Sequence, residues 1–359
     1  IMGKWSNDMK NILIVDDSAL MRRVLSDIIN KDEELHTEFS AKDGLEALKI
    51  LEEHSIDAVV LDIIMPRMNG IEMLKEMKRR GYDQKVVIVS TIAKKGAGET
   101  IEALELGAFD FVTKPGSLFS VRSEEFAGKL VERIHMAFGM SKEVHENVSK
   151  PQKNRVPHSK AGGVAGAGKL VAMACSTGGP KALQDVIPKL PANLDAAVLL
   201  VQHMPVGFTY SLGARLDELS QIHVKEAEDG EVLCKGTVYI AKGGSQMRVI
   251  EKNRREYVLS VREEEARNGL KPCADIMYES LRESSFDDIT CVVMTGMGAD
   301  GTKGILQLEK TNKIYVIAQN EESCTVYGMP KVVTESGVVD EVQDLNLIAD
   351  AITKHVGVR

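Results

Sequence analysis

At 359 residues, with 43% hydrophobic and 27% charged residues, the chain has an ordinary globular composition and is too long for one typical core, so two domains are expected. A formal net charge of -8 excludes a general nucleic-acid binder, which would carry a basic stripe. No apolar run reaches membrane-spanning length, the amino end is polar rather than signal-like, and the five cysteines are scattered without a CxxC pair; a reduced cytoplasmic protein is expected, with neither a disulfide framework nor a zinc site.

In chain order, the β-branched run Asn11–Val15 stops abruptly at Asp16-Asp17-Ser18. A helical pattern follows, with Leu20, Met21, Val24, Leu25, Ile28 and Ile29 on one face. Further strands are predicted at 35–40, 57–61, 85–90 and 109–113, with helices near 44–53, 70–80, 97–107 and 123–138. This alternation predicts a doubly wound parallel α/β sheet. Three of its strand ends carry acids or a base: Asp16 and Asp17 after the first strand, Asp62 after the third, and Lys114-Pro115 after the fifth. Ser90 ends the fourth. If the first and third strands are neighbours, three carboxylates converge, and like-charge repulsion calls for a cation. Hard oxygen ligands with room for water suit Mg²⁺. Singly, Asp17 reads as a helix cap and Lys114 as a solvated charge. Together, in this order, they are hard to explain as caps, and Mg²⁺, an ammonium and a hydroxyl at one edge are expected to suit a phosphoryl group on a carboxylate.

Residues 10–138 resemble the receiver domain of bacterial response regulators through Asp16-Asp17, Asp62 with Met65-Pro66, Ser90, and Lys114-Pro115. The resemblance implies that Asp62 accepts a phosphoryl group from a histidine kinase. It implies that Asp16, Asp17, Asp62 and the backbone carbonyl of Ile64 hold Mg²⁺. Ser90, Phe111 and Lys114 are then the residues that respond to phosphorylation.

From 139 to 168 the pattern dissolves into Lys, Ser, Pro and Gly, which predicts a flexible linker. Within it, Gly163–Leu170 nearly makes a phosphate-binding loop, but Leu170 stands where the Mg²⁺-reaching hydroxyl belongs and no strand precedes it.

The next stretch, Lys169–Cys175, is an apolar strand that breaks at Ser176-Thr177-Gly178-Gly179 and resumes as a helix at Pro180. This places Ser176 at the carboxyl end of a buried strand, where open α/β sheets carry their chemistry. A phosphate cradle and a plain βα turn are the other readings of this turn. The strand Ala197–Val201 ends in Gln202-His203-Met204-Pro205, and His203 is the one histidine that directly follows such a run. After strands near 222–226 and 237–241, a hairpin of 246–250 with 257–261 and a helix after Pro272, the strand Ile289–Met294 runs into Thr295-Gly296-Met297-Gly298-Ala299-Asp300-Gly301. Asp300 reads either as a cap on a helix starting near Thr302 or as the carboxylate that orients His203. Serine, histidine and aspartate at three strand ends of one sheet are candidates for a nucleophilic triad, with a structural histidine as the other reading of His203. Cys175 is the rival nucleophile, but side chains alternate along a strand, so it points away from Ser176.

Residues 169–356 resemble the catalytic domain of chemotaxis protein-glutamate methylesterases, the CheB family, through the Ser176, His203 and Thr295–Gly301 motifs. The expected whole is two doubly wound domains, receiver and Rossmann-like methylesterase, joined by a linker. The resemblance implies catalysis by Ser176, His203 and Asp300, with Thr177 and Met297 lining the site, Met297 through its backbone N–H. It implies a cytoplasmic enzyme, without a cofactor for the ester reaction, that demethylates glutamates and in many members deamidates glutamines on chemoreceptors. A chemotaxis kinase is the expected phosphodonor, and neither nucleic acid nor membrane insertion is expected. A receiver controlling a binding module with a structural Ser–His–Asp set is the rival reading.

Overall fold

The computed structural model describes residues 9–91, 94–115, 121, 123–139, 168–253 and 256–359. The chain divides into two compact units between residues 142 and 143. Most of the linker expected at 139–168, with residues 163–167 of the near-phosphate loop, lies outside the described residues, whereas Lys169 and Leu170 of that loop belong to the strand that follows.

In the first unit the strands are β1 (Lys10–Val15), β2 (Leu35–His36), β3 (Ser40–Ala41), β4 (Ala58–Leu61), β5 (Lys85–Ser90) and β6 (Asp110–Thr113). All pair in parallel, in the order β2-β1-β4-β5-β6, with β3 also beside β1. The strand expected at 35–40 is split in two, because the Thr37 N–H turns aside to donate to Asn30 Oδ1 at 2.9 Å. Helices α1 (Ala19–Ile29), α2 (Gly44–Glu53), α3 (Gly70–Arg80), α4 (Lys94–Glu105) and α5 (Glu124–Ala137) connect them. Ser18 caps α1 by accepting from the Met21 N–H at 3.3 Å, and Asn69 with Glu72 forms a capping box on α3. The apolar face of α1 (Val24, Leu25, Ile28) packs with Leu130 and Ile134 of α5 over Ile12, Ile14, Val60 and Val87. The registry of Val15 opposite Leu61 sets the acids after both strands side by side.

The second unit holds seven parallel strands: β7 (Lys169–Cys175), β8 (Ala196–Gln202), β9 (His223–Glu226), β10 (Thr237–Ile240), β13 (Asp288–Val293), β14 (Ile314–Gln319) and β15 (Glu341–Gln343). Between β10 and β13 lies the antiparallel hairpin β11 (Gln246–Asn253) with β12 (Glu256–Arg262). The sheet order is β15-β14-β13-β7-β8-β10-β9. The strand sequences of β7 and β8 are near-continuous apolar runs because both faces of a parallel sheet are covered. The chain starts in the middle at β7, goes out one way through β8, then returns to the other side at β13. The carboxyl end of β7 is therefore the topological switch point, where such sheets leave a crevice.

Helices α6 (Gly179–Val186), α7 (Phe208–Leu219), α8 (Ala274–Ser280), α9 (Thr302–Leu308), α10 (Met329–Glu335) and α11 (Ile348–Val356) complete the unit. Helix α8 is bolted to the sheet by Tyr278, fully buried, whose hydroxyl donates to the Ala172 carbonyl at 3.1 Å. Helix α9 crosses α8 at Gly304, where an added Cβ would lie 2.8 Å from both the Asp275 carbonyl oxygen and Tyr278 Cβ. Among the described residues no helix is long and apolar enough to cross a membrane. Because α8 cannot recede from the sheet, Gly304→Ala is expected to destabilise the second unit by about 1–3 kcal/mol, the range for overpacking. Chemical denaturation of the full chain, followed by circular dichroism, checks this.

Candidate functional site

Three strand ends meet at the switch point. Cys175 pairs with Gln202, so Ser176 and His203 are the next residues along two adjacent strands. The His203 N–H donates to the Cys175 carbonyl at 3.2 Å, and the Ser176 N–H to the Thr295 carbonyl at 3.0 Å. The ladder thus fixes Ser176 between His203 on one side and the Thr295–Asp300 loop on the other. Ser176 is half-buried, whereas Cys175 is fully buried with its thiol turned back to donate to Gln202 Oε1 at 3.0 Å. Burial pushes that thiol up, away from the thiolate a nucleophile needs.

His203 and Asp300 are in contact: the imidazole Nε2 and Asp300 Oδ2 lie 2.7 Å apart. In the usual serine-protease arrangement the carboxylate holds Nδ1–H and Nε2 faces the serine. Here the carboxylate holds Nε2, which leaves Nδ1 as the ring nitrogen able to take a proton. The Asp300 carboxylate also accepts from the Ala274 N–H at 2.6 Å, the Asp275 N–H at 3.0 Å and the Cys273 thiol at 3.1 Å. Burial alone would raise its pKa, but His203 and the two amides outweigh that and hold it at about 2. The expected alternative, a cap on the helix starting near Thr302, is not what Asp300 does. Gly301 is the N-cap of α9, without a side-chain cap, and Asp300 instead caps α8 from outside.

Asp275 completes a reciprocal arrangement that sequence reading missed. Its Oδ1 accepts from the Gly301 N–H at 2.9 Å and the Gly304 N–H at 2.7 Å, at the start of α9. Burial, then the Asp300 charge, push this carboxyl up to about 6 against those two amides. Each helix start is capped by the acid that belongs to the other.

Gln202 ties the serine and histidine turns. Its Nε2 donates to the carbonyls of Ser176 at 3.0 Å and His203 at 3.2 Å. On the other side of the serine, an added Cβ on Gly296 would lie 2.8 Å from Ser176 Cβ, so that position must be glycine for the loop to lie flat against the turn. Thr177 is buried, and its carbonyl accepts from Thr295 Oγ1 at 2.9 Å. The Met297 N–H donates to no acceptor among the described residues, which suits it to an oxyanion. A serine one strand away from an imidazole held by an ionised carboxylate is an arrangement suited to acyl transfer.

In the first unit the carboxylate oxygens of Asp16, Asp17 and Asp62 lie within 4.8 Å of one another. Lys114 Nζ bridges Asp16 Oδ2 at 2.7 Å and Asp62 Oδ2 at 2.6 Å. Burial raises the Asp62 pKa, Lys114 opposes, and the neighbouring Asp16 adds to the rise, so the carboxyl sits above its ordinary value. The carboxylates keep Lys114 above its ordinary value despite burial. An all-oxygen, net-negative donor set of this kind fits Mg²⁺. Asp16 is buried and Asp17 exposed, leaving the cluster open on one side. Ser90 is buried at the end of β5 and accepts from Thr100 Oγ1 at 2.7 Å, while the Lys114 N–H donates to the Ser90 carbonyl at 2.6 Å. Phe111 is buried in β6, and the Ile64 side chain is exposed in the loop after β4.

Comparison with known proteins assigns both units. Residues 171–352 match the CheB methylesterase family, and residues 12–122 match the response regulator receiver domain. A Halalkalibacterium halodurans protein named protein-glutamate methylesterase/protein-glutamine glutaminase is 41% identical, covering 96% of this chain and 97% of that one. A Bacillus subtilis protein of the same name is 40% identical, covering 97% and 99%. The crystal structure of the Thermotoga maritima CheB methylesterase catalytic domain is 39% identical, covers 53% of this chain and 99% of that chain, and superposes with a TM-score of 0.51.

Gln202→Ala removes both backbone ties and leaves buried polar groups unpartnered, which costs about 1–3 kcal/mol. Chemical denaturation of the variant beside the parent chain is expected to show a loss in that range. Equal midpoints would mean that the two turns hold their positions without the clamp.

Proposed function

The chain belongs to the CheB methylesterase family, with a response-regulator receiver domain ahead of the esterase, and from that premise we infer that it hydrolyses glutamate methyl esters on chemoreceptors and deamidates receptor glutamines under control of phosphorylation. The proposed division is receiver 10–138, linker 139–168 and catalytic domain 169–356. The observation that carries the reading is the part-buried His203–Asp300 pair one strand away from Ser176.

In the proposed mechanism Ser176 Oγ attacks the ester carbonyl carbon as His203 Nδ1 takes its proton. Asp300 stays ionised and stabilises the imidazolium through Nε2–H. The Met297 N–H, on one wall with Thr177, donates to the oxyanion. Collapse breaks the C–O bond, the imidazolium protonates the leaving oxygen, and methanol departs; from a glutamine the leaving group is ammonia. Water then attacks the acyl-serine with His203 again as base, releasing glutamate and restoring the serine.

Regulation begins at Asp62, proposed to take a phosphoryl group from a chemotaxis histidine kinase. Asp16, Asp17, Asp62 and the Ile64 carbonyl would hold Mg²⁺, which supplies positive charge against the phosphoryl oxygens. Lys114 is already poised to pair with the new group, and Ser90 and Phe111 are the proposed residues through which phosphorylation spreads. In this reading the unphosphorylated receiver covers the Ser176 cleft, and phosphorylation weakens that packing.

Methanol release from methylated chemoreceptor by the full chain, with and without Mg²⁺ and a small phosphodonor, tests both halves. The donor is expected to stimulate release. Ser176→Ala should lower the rate by about 10⁴-fold or more, and Asp62→Asn should abolish the stimulation while sparing the basal rate. Undiminished release by Ser176→Ala would contradict the mechanism, and stimulation retained by Asp62→Asn would contradict the control.

A further inference from the structure

Beside Asp300 lies a second carboxylate, Asp275, that takes no part in acyl transfer. Asp275 is 4% exposed, sits in the first turn of α8, and makes no ion pair among the described residues. A buried acid without an ion-pair partner is costly. Its own N–H donates to Asp300 Oδ1 at 3.0 Å, and its Oδ1 accepts from Gly301 at 2.9 Å and Gly304 at 2.7 Å. Gly301 immediately follows Asp300. The loop that carries Asp300 is therefore held twice against the same short helix: the helix amides grip the Asp300 carboxylate, and the Asp275 carboxylate grips the backbone just beyond it.

The rest of α8 cannot yield. Tyr278 anchors it to the Ala172 carbonyl, and Gly301, at φ +97°, packs against Tyr278 Cε2 at 3.2 Å in the distance an added Cβ would show. The charged groups facing Asp275 are Asp300 and, farther along α8, Glu279, both of which disfavour its ionised form, and the half-exposed Arg267, whose guanidinium is held on Glu279 at 2.7 Å. The arrangement keeps an electrostatically unfavourable acid in order to fix the position of another.

We propose that Asp275 is a positioning residue of the esterase: by holding the Gly301 and Gly304 amides it fixes the Asp300 carboxylate on Nε2 of His203, and so sets the orientation of the imidazole. Asp275 touches no substrate and no reacting atom; it acts through Asp300. The assignment rests on the Ser176–His203–Asp300 reading and extends it.

The test is a series at Asp275 in the full, phosphodonor-activated chain. Asn keeps an acceptor oxygen at the Oδ1 position, Glu keeps the charge but displaces the oxygens by a methylene, and Ala removes both. Asn is expected to retain kcat within a few-fold, while Glu and Ala lose about 10- to 100-fold in kcat, the scale for a displaced catalytic group, with KM little changed. Rates are corrected for the folded fraction by circular dichroism. In parallel, ¹⁵N-histidine labelling reads the His203 Nε2–H resonance, expected downfield and sharp in the parent and Asn chains and lost or shifted in the Glu and Ala chains. This readout needs no turnover: a parent chain that releases no methanol would sink the esterase reading while the resonance still decides the role of Asp275. If Ala does not fold, Glu and Asn carry the comparison. Parent-like kcat and an unmoved His203 resonance in the Glu or Ala chain would overturn the proposal.

Discussion

An ionised carboxylate that is almost wholly out of water has to be surrounded by donors, and the Asp300 carboxylate has four: an imidazole, two backbone amides and a thiol. Much of the second unit follows from that requirement. The amides come from the first turn of α8, so that helix must start beneath the Thr295–Asp300 loop. The loop must lie flat to bring Asp300 there, which is why Gly296 sits against Ser176 and Gly304 against α8. The imidazole comes from the end of β8, one strand beyond the serine, and its approach from that side puts Nε2 rather than Nδ1 on the carboxylate. Parallel pairing of β13, β7 and β8 is what makes all three ends converge.

The first unit solves a related problem with different means. Asp16 and Asp62 end adjacent parallel strands and repel one another at close range, and here the compensation is a cation, Lys114, reaching in from the end of β6, two strands beyond β4. Compensation by one flexible ammonium leaves Asp62 above its ordinary pKa and the site adaptable. Compensation of Asp300 by fixed amides and an imidazole holds it down and leaves it rigid. A site that must exchange ligands and a site that must hold one geometry would be expected to differ in this way.

The architecture was legible because both sheets are parallel. Their strands are short apolar runs with chemistry at the carboxyl ends, and the βα rhythm marks where those ends fall. The rhythm does not fix which strands are neighbours: the pairing of β1 with β4, and of β7 with β8 and β13, was a condition of the sequence reading that the register of the sheets supplies. What the chain could not reveal is set by contacts remote in sequence. The Thr37 N–H leaves the sheet for Asn30, splitting a strand that looked continuous. Asp300 looks like the cap of the helix that follows it, yet caps one that begins 26 residues earlier. Asp275 reads as an ordinary acid in the first turn of a helix, and Gln202 as part of a motif rather than as the clamp between two turns. Its signal was its place: an amide side chain at the end of an otherwise wholly apolar buried strand needs partners.

Ser176, activated by an imidazole held through Nε2, is expected to form a covalent acyl intermediate. Rapid acid quench of the activated chain with a glutamate methyl ester peptide, followed by intact-mass and peptide mapping, tests it most directly. The expected product is an adduct equal to the peptide mass less methanol, mapped to Ser176 and appearing with the first turnover. Methanol formed in that turnover with no adduct, or an adduct mapped to Cys175 or to any other residue, would contradict it.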